Sequence, residues 1–304
     1  LEEANRMKES KGLGIGGIIP PVLTAFDKQG NFDEKAQREI ISFLVDKVQG
    51  FYPCGTYGSG PLMDVGERER VAEVVIDEVS GRVPVIVHVG GASTRSVIEL
   101  AKHAESVGAA AVAAVPPIYY GFKEPEVERH FKAMVDSVSI PVFVYNNPKT
   151  TGVSISAGLL NRLADYGVRG VKDSSFDIMI FYEYLRRVKR KDFIPIIGTE
   201  ALILPAVSMG AHGSVSGLAN AIPEPVVELF HSLKKGDTDK ARHLQTEVST
   251  MRDIMHLAPT LPMIQAVLRA RGVNAGYPRL PFVFPEDSLV KKAVREFRGM
   301  GVSF

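Results

Sequence analysis

One unit recurs along this chain and limits what it can fold into: a short β-branched or small apolar run, a turn marked by Gly or Pro, then a stretch with helical apolar spacing. The strand-like runs lie at 18–25, 50–55, 83–89, 110–116, 141–146, 168–172, 194–198 and 213–216. They are continuously apolar more than alternating, which suits strands covered on both faces. Between them, 33–48 places Ala36, Ile40, Leu44 and Val48 on one stripe. Segment 64–79 opens with Asp64-x-x-Glu67, a capping-box signal. Segment 93–107 follows Gly90-Gly91 and starts on a Ser/Thr cluster suited to capping. Strands alternating with helices imply βαβ units and a parallel sheet.

Eight such strands predict a closed (β/α)8 TIM barrel. The rival is an open doubly wound sheet, but no Gly-x-Gly-x-x-Gly joins a strand to a helix, which counts against its dinucleotide-binding form. After residue 222 the strand signals stop, and 223–235, 238–257, 262–271 and 286–298 read as helices. The expected organisation is an N-terminal extension (1–15), a barrel (16–222) and a C-terminal helical bundle (223–304).

Charge and cysteine content narrow the function. Lys+Arg is 36 against 35 for Asp+Glu, so no basic stripe for nucleic acid follows. No apolar run reaches the ~20 residues of a membrane helix, and residues 1–11 lack the apolar stretch of a secretory signal. Cys54 is the only cysteine, which excludes an internal disulfide and fits a reducing, cytoplasmic setting. It reads as a small apolar filler within a strand. The seven histidines are scattered with no ligand spacing, so no metal site is expected, and His88 reads as a core residue. No Gly-x-Ser-x-Gly elbow supports a serine hydrolase.

In a barrel the strand C-termini converge on one face, where active sites sit. The polar residues there are Thr24, Gly55-Thr56-Tyr57-Gly58, His88, Tyr119-Tyr120, Tyr145-Asn146-Asn147, Lys172-Asp173-Ser174-Ser175, Thr199-Glu200 and Ser214–Gly217. Lys172 closes the apolar run 168–171. A solvated lysine near pKa 10.4 is mostly ammonium at pH 7 and does not attack a carbonyl. An apolar barrel mouth disfavours the charge and frees the amine to form a Schiff base with a ketone. The competing reading is a lysine that snorkels or pairs with Asp173. Tyr145, at the end of the preceding strand, would share the mouth and move protons, or else pack in the core. Glycines flanking Thr56 let backbone amides approach a carboxylate.

Together these fragments resemble the dihydrodipicolinate synthase / N-acetylneuraminate lyase family of class I aldolases. The resemblance rests on Gly55-Thr56-Tyr57-Gly58, Pro116-Pro117-Ile118-Tyr119-Tyr120, Tyr145-Asn146-Asn147-Pro148, Gly170-Val171-Lys172-Asp173-Ser174-Ser175, Gly198 and Gly276-Tyr277-Pro278-Arg279-Leu280-Pro281, in order from about Gly16 to Pro285. It implies a TIM barrel with a C-terminal helical bundle, assembled as a homotetramer. It implies pyruvate as the Schiff-base partner, an aldehyde or 2-keto-3-deoxy sugar acid as the other substrate, and no cofactor beyond the lysine imine. Carried over by position, Lys172 forms the imine, Tyr145 shuttles protons, and Thr56 relays them and holds the carboxylate with the Tyr57 backbone. Tyr119 would reach a neighbouring subunit's site. Gly198, Glu200 and Val215 would line the imine or the second substrate.

Three positions depart from the family pattern. Tyr57 replaces a second small hydroxyl residue, Ser59 replaces an acid, and Thr150 stands where dihydrodipicolinate synthases carry an arginine. Threonine cannot supply a bidentate anchor. The resemblance therefore favours a sugar-acid lyase over a true 4-hydroxy-tetrahydrodipicolinate synthase. A dehydratase or hydratase-aldolase on the same imine, or a non-catalytic keto-acid binder, are the other readings.

Overall fold

The computed structural model describes residues 14–304. Seven parallel strands, Gly17–Ile19 (β1), Ile86–His88 (β2), Ala111–Ala114 (β3), Val142–Asn146 (β4), Gly170–Asp173 (β5), Ile194–Ile197 (β6) and Gly213–Val215 (β7), run in the order β1-β7-β6-β5-β4-β3-β2. Residues 49–53 close the ring. On one side the Gln49 and Tyr52 amides donate to Ile18 and Pro20 carbonyls, each at 3.0 Å. On the other, Phe51 N donates to Pro84 O (3.0 Å), and Ile86 and His88 amides donate to Phe51 and Pro53 carbonyls (2.9 and 3.1 Å). The expected TIM barrel is the observed fold. The eighth stave is this short segment, whose one strand-type bridge among the described residues is Phe51↔Val85.

In two of the expected runs proline cuts the strand off early. The run 18–25 stops as a strand at Ile19, because Pro20 and Pro21 have no amide to donate. The run 50–55 turns over at Pro53, so Cys54 sits in a turn with φ +59° and not within a strand, although it is buried as expected. Its carbonyl lies where a Cβ on Gly60 would fall, 1.9 Å away, so the turn requires glycine at 60.

The helices form because each presents one apolar face to the strands. In Glu34–Leu44, Ala36, Ile40, Ile41 and Leu44 are buried and the Asp33 side chain caps the start. Val65–Val79 begins with the Asp64/Glu67 capping box, both bonds made. One apolar cluster fills the space between strands and helices. A second fills the barrel interior and includes Ile19, Tyr52, Ile86, Phe143, Tyr145, Ile196 and Val215. Pro223–Lys235 packs on β1 and on Thr238–Met255, and Thr260–Ala270 packs on Asp287–Gly299. Among the described residues no helix is long and apolar enough to cross a membrane.

Candidate active site

Lys172 sits inside the ring at the C-terminal end of β5, with a relative exposure of 4%. Side chains alternate along a strand, so Lys172 faces the barrel interior while Asp173 faces the helices. Asp173 Oδ1 accepts from Asn146 Nδ2 at 2.7 Å and Oδ2 accepts from Ser175 Oγ at 2.7 Å. Lys172 is therefore not the partner of Asp173, and the pairing alternative raised by the sequence is set aside. Burial pushes the Asp173 carboxyl up to about 6, against the pull of its hydrogen bonds.

Parallel pairing sets Tyr145 and Lys172 side by side as Cα partners on β4 and β5. The Lys172 Nζ lies 3.9 Å from the centre of the Tyr145 ring and 4.1 Å from that of Tyr52. Burial lowers the Lys172 pKa, opposed by Tyr145. Burial acts to raise the Tyr145 phenol, but the Lys172 charge and hydrogen-bonding from Thr56, Ser174 and Lys172 outweigh it, and the net shift is downward. Asn147 Nδ2 also donates to the Tyr145 hydroxyl, at 3.1 Å. A partly neutral amine beside an acidified phenol suits carbonyl attack with proton transfer.

Thr56 and Tyr57 stand at the rim, in the turn after residue 53. Among the described residues the amides of Gly55, Thr56, Tyr57 and Gly58 donate no hydrogen bond within the chain. The turn is pinned by Thr24 Oγ1, which donates to Gly58 O at 2.6 Å, and by Gly60 N donating to Gly55 O. Free amides in a fixed turn make an anion-binding concavity. The Tyr57 ring packs on Gly217, where a Cβ would lie 2.5 Å from Tyr57 Cε1. Gly198 carries a similar constraint: a Cβ there would lie 2.0 Å from Ser174 Oγ. Val215 is buried in the interior cluster on the wall of the ring.

Glu200 is buried at the mouth and holds two partners, Ser216 Oγ (2.9 Å) and Arg252 Nε (3.3 Å). Arg252 comes from Thr238–Met255 and leans over the Phe176 ring, 5.7 Å from its centre. Burial raises the Tyr57 phenol well above its usual value, with the Glu200 charge adding to the rise.

The structure thus gathers Lys172, Tyr145, Thr56, Tyr57, Gly55, Gly198, Glu200 and Val215 around one mouth. It leaves two candidates apart. Tyr119 is 89% exposed, with φ +84°, its ring edge-on to Tyr120. Thr150 lies exposed on the short helical turn Pro148–Thr151, its hydroxyl donating to Asn147 O at 3.2 Å. Sequence reasoning did not single out Tyr52, placed Ser174 and Ser216 at strand ends without a role, and did not reach Arg252. The first three follow from strand alternation and strand-end position. Nothing local marks Arg252, which reaches the mouth from the C-terminal helices.

Residues 14–296 match the model of the dihydrodipicolinate synthetase family. The chain belongs to this family. An uncharacterized DapA-like lyase of Halobacterium salinarum is 38% identical over 271 residues, 88% of each chain. The 4-hydroxy-tetrahydrodipicolinate synthase of Methanopyrus kandleri is 32% identical over 295 residues, 96% of this chain and 98% of that one. Among solved structures, YagE, a prophage protein of the dihydrodipicolinic acid synthase family from E. coli K12 in complex with pyruvate, superposes with a TM-score of 0.91 at 26% identity, covering 95% of this chain and 99% of that one. As a family member the protein is an enzyme, a class I Schiff-base lyase or synthase that uses pyruvate.

Proposed function

We propose that Lys172 forms the imine with pyruvate, and that the enzyme makes or breaks a carbon–carbon bond between pyruvate and an aldehyde derived from a sugar acid. The observation that carries this reading is the Lys172 amine, buried within 3.9 Å of the Tyr145 ring centre. The neutral amine attacks C2 of the keto acid. Tyr145 donates a proton as the carbinolamine loses water, and the imine nitrogen keeps its own proton. The protonated imine takes up the electron pair released when a C3 proton leaves or the C3–C4 bond breaks, giving an enamine. The enamine adds to the aldehyde, or is protonated at C3, and water then releases the product. Thr56 relays protons through Tyr145, and the free amides of 55–58 hold the pyruvate carboxylate. No cofactor is called for, because the imine itself supplies the electron sink.

Substrate preference follows from the rim. Thr150 is exposed and its hydroxyl donates to Asn147 O, so it offers no anchor of the bidentate kind. Tyr57, Ser216, Glu200 and Arg252 instead line one polar wall, which suits the hydroxyls of a 2-keto-3-deoxy sugar acid. The exposed Tyr119, held at positive φ, supports an assembly, a tetramer by family likeness, in which this ring completes a second copy's site. The buried, free Cys54 supports a cytoplasmic location.

The test is borohydride reduction in the presence of pyruvate, followed by peptide mapping and a screen of 2-keto-3-deoxy acids. The expected adduct is on Lys172, with release of pyruvate from at least one sugar acid. An adduct elsewhere overturns the assignment of Lys172. Water loss with an intact carbon skeleton makes the enzyme a dehydratase.

A further inference from the structure

We propose that Tyr52 is a further catalytic residue, whose ring face stabilises the positive charge on the Lys172 nitrogen once the imine is protonated. The proposal rests on Lys172 being the imine-forming lysine. Three rings form a cup around the amine. Tyr52 and Tyr145 stand edge-on, with centroids 6.0 Å apart at 81°. His88 and Tyr145 do the same at 5.8 Å and 86°, and Tyr52 and His88 lie 5.9 Å apart. The Lys172 Nζ lies over two of these faces, at 4.1 Å from Tyr52 and 3.9 Å from Tyr145.

The charge balance makes those faces matter. An imine draws electrons from C3 only when its nitrogen is protonated, so the reaction places a cation in a buried site, beside the Tyr145 oxygen that has given up its proton. Among the described residues, the titratable side chains that interact with the Lys172 amine are Tyr145 and His88, and neither is a carboxylate. Asp173 points to the other side of the strand, and Glu200 is engaged by Ser216 and Arg252. His88 is fully buried and held neutral, its Nδ1 against Cys54 O at 3.1 Å. A carboxylate here would stabilise the cation but would also keep the free lysine protonated. Ring quadrupoles attract the cation more gently, and more effectively in a desolvated site than in water.

The face, and not the hydroxyl, is the useful part of Tyr52. Its hydroxyl is buried and, among the described residues, has no hydrogen-bond partner. The ring is positioned by packing under Gly55, where a Cβ would lie 3.0 Å from Tyr52 Cε1.

The experiment replaces Tyr52 with Phe, with phenylalanines of increasing ring fluorination, and with Leu, in the full-length protein. It measures the rate of pyruvate-dependent borohydride trapping and its dependence on pyruvate and pH. Fluorination drains the ring face while nearly conserving its shape, so the series reads even if Tyr52→Leu fails to fold. The expected result is that Tyr52→Phe stays within about twofold of the parent, while heavy fluorination or Leu lowers trapping by about tenfold. A flat response across the fluorinated series, with the parent labelled at Lys172, overturns the role of Tyr52. A parent that gives no adduct at Lys172 overturns the underlying site assignment, and the role of Tyr52 with it.

Discussion

Tyr145 and Lys172 are direct neighbours in register across β4 and β5, and their side chains meet inside the barrel with the amine 3.9 Å from the ring centre. Backbone hydrogen bonding of two strands fixes this pair, so the phenol and the amine need no flexible loop to find each other. Preorganisation of that kind is what proton transfer in a covalent mechanism requires.

Removal of the amine tests the chemistry directly. Lys172→Ala is expected to abolish pyruvate-dependent borohydride labelling and to lower turnover by at least about a thousandfold, since a covalent route is lost. Mass spectrometry of the reduced protein is the check. Undiminished labelling would place the reactive amine elsewhere.

Loss of the phenol should slow the same step without abolishing it. Tyr145→Phe keeps the ring face over Lys172 and removes the proton donor. Single-turnover imine formation is expected to fall by about a hundredfold or more. Pyruvate binding, read by protection or calorimetry, is expected to change far less.

The pH dependence follows from burial. The reactive form is the neutral amine, and burial lowers the Lys172 pKa from 10.5. Imine formation should therefore rise with pH through an acid limb whose midpoint lies below 10.5. The trapping rate measured against pH gives that midpoint, and a limb at the ordinary lysine value would mean that the amine is solvated.

Tyr57 and Gly217 are expected to be coupled. Gly217→Ala puts a Cβ 2.5 Å from Tyr57 Cε1, so the ring must leave its place. The substitution should cost about 1–3 kcal/mol of stability or a matching loss in kcat/KM. In a Tyr57→Thr background it should cost little. A double-mutant cycle gives the coupling, expected to exceed about 0.5 kcal/mol.

Acid stability carries a separate signature from His130. Burial lowers its pKa from 6.5 to about 4, and its Nδ1 lies 2.9 Å from Thr94 Oγ1. Below pH 6.5 the unfolded chain takes up a proton that the folded chain refuses until about pH 4. The stability due to this group is therefore full above 6.5 and declines as the pH falls, by up to about 3 kcal/mol. Asp173 works in the opposite sense. With its pKa raised from 3.8 to about 6, it favours the folded state at low pH and loses that contribution as the pH rises through about 6. Urea unfolding of the parent and of His130→Gln at pH 7 and pH 4.5 isolates the histidine. The variant is expected to lose less on acidification.

The sequence makes most of the barrel legible because its parallel strands are covered on both faces and appear as apolar runs. Pro223–Lys235 matches its expected bounds, and the Asp64 capping box forms as read. The misreadings have a common cause. Pro20, Pro21 and Pro53 lie in apolar runs that look like strands, but proline cannot donate to a ladder, and the chain turns there. Cys54 is consequently buried in a turn.

What the sequence alone determined is the order of elements and the residues at the strand ends, since both follow from local periodicity and alternation: Lys172, Tyr145 and Thr56 can be named that way. What only the tertiary structure decided is which long-range neighbours surround them. Tyr52, 120 residues before Lys172, comes under its amine because the ring closes through residues 49–53. Arg252 meets Glu200 because a C-terminal helix folds back over the mouth. Neither contact leaves a local pattern, because packing and closure act between residues that are far apart along the chain.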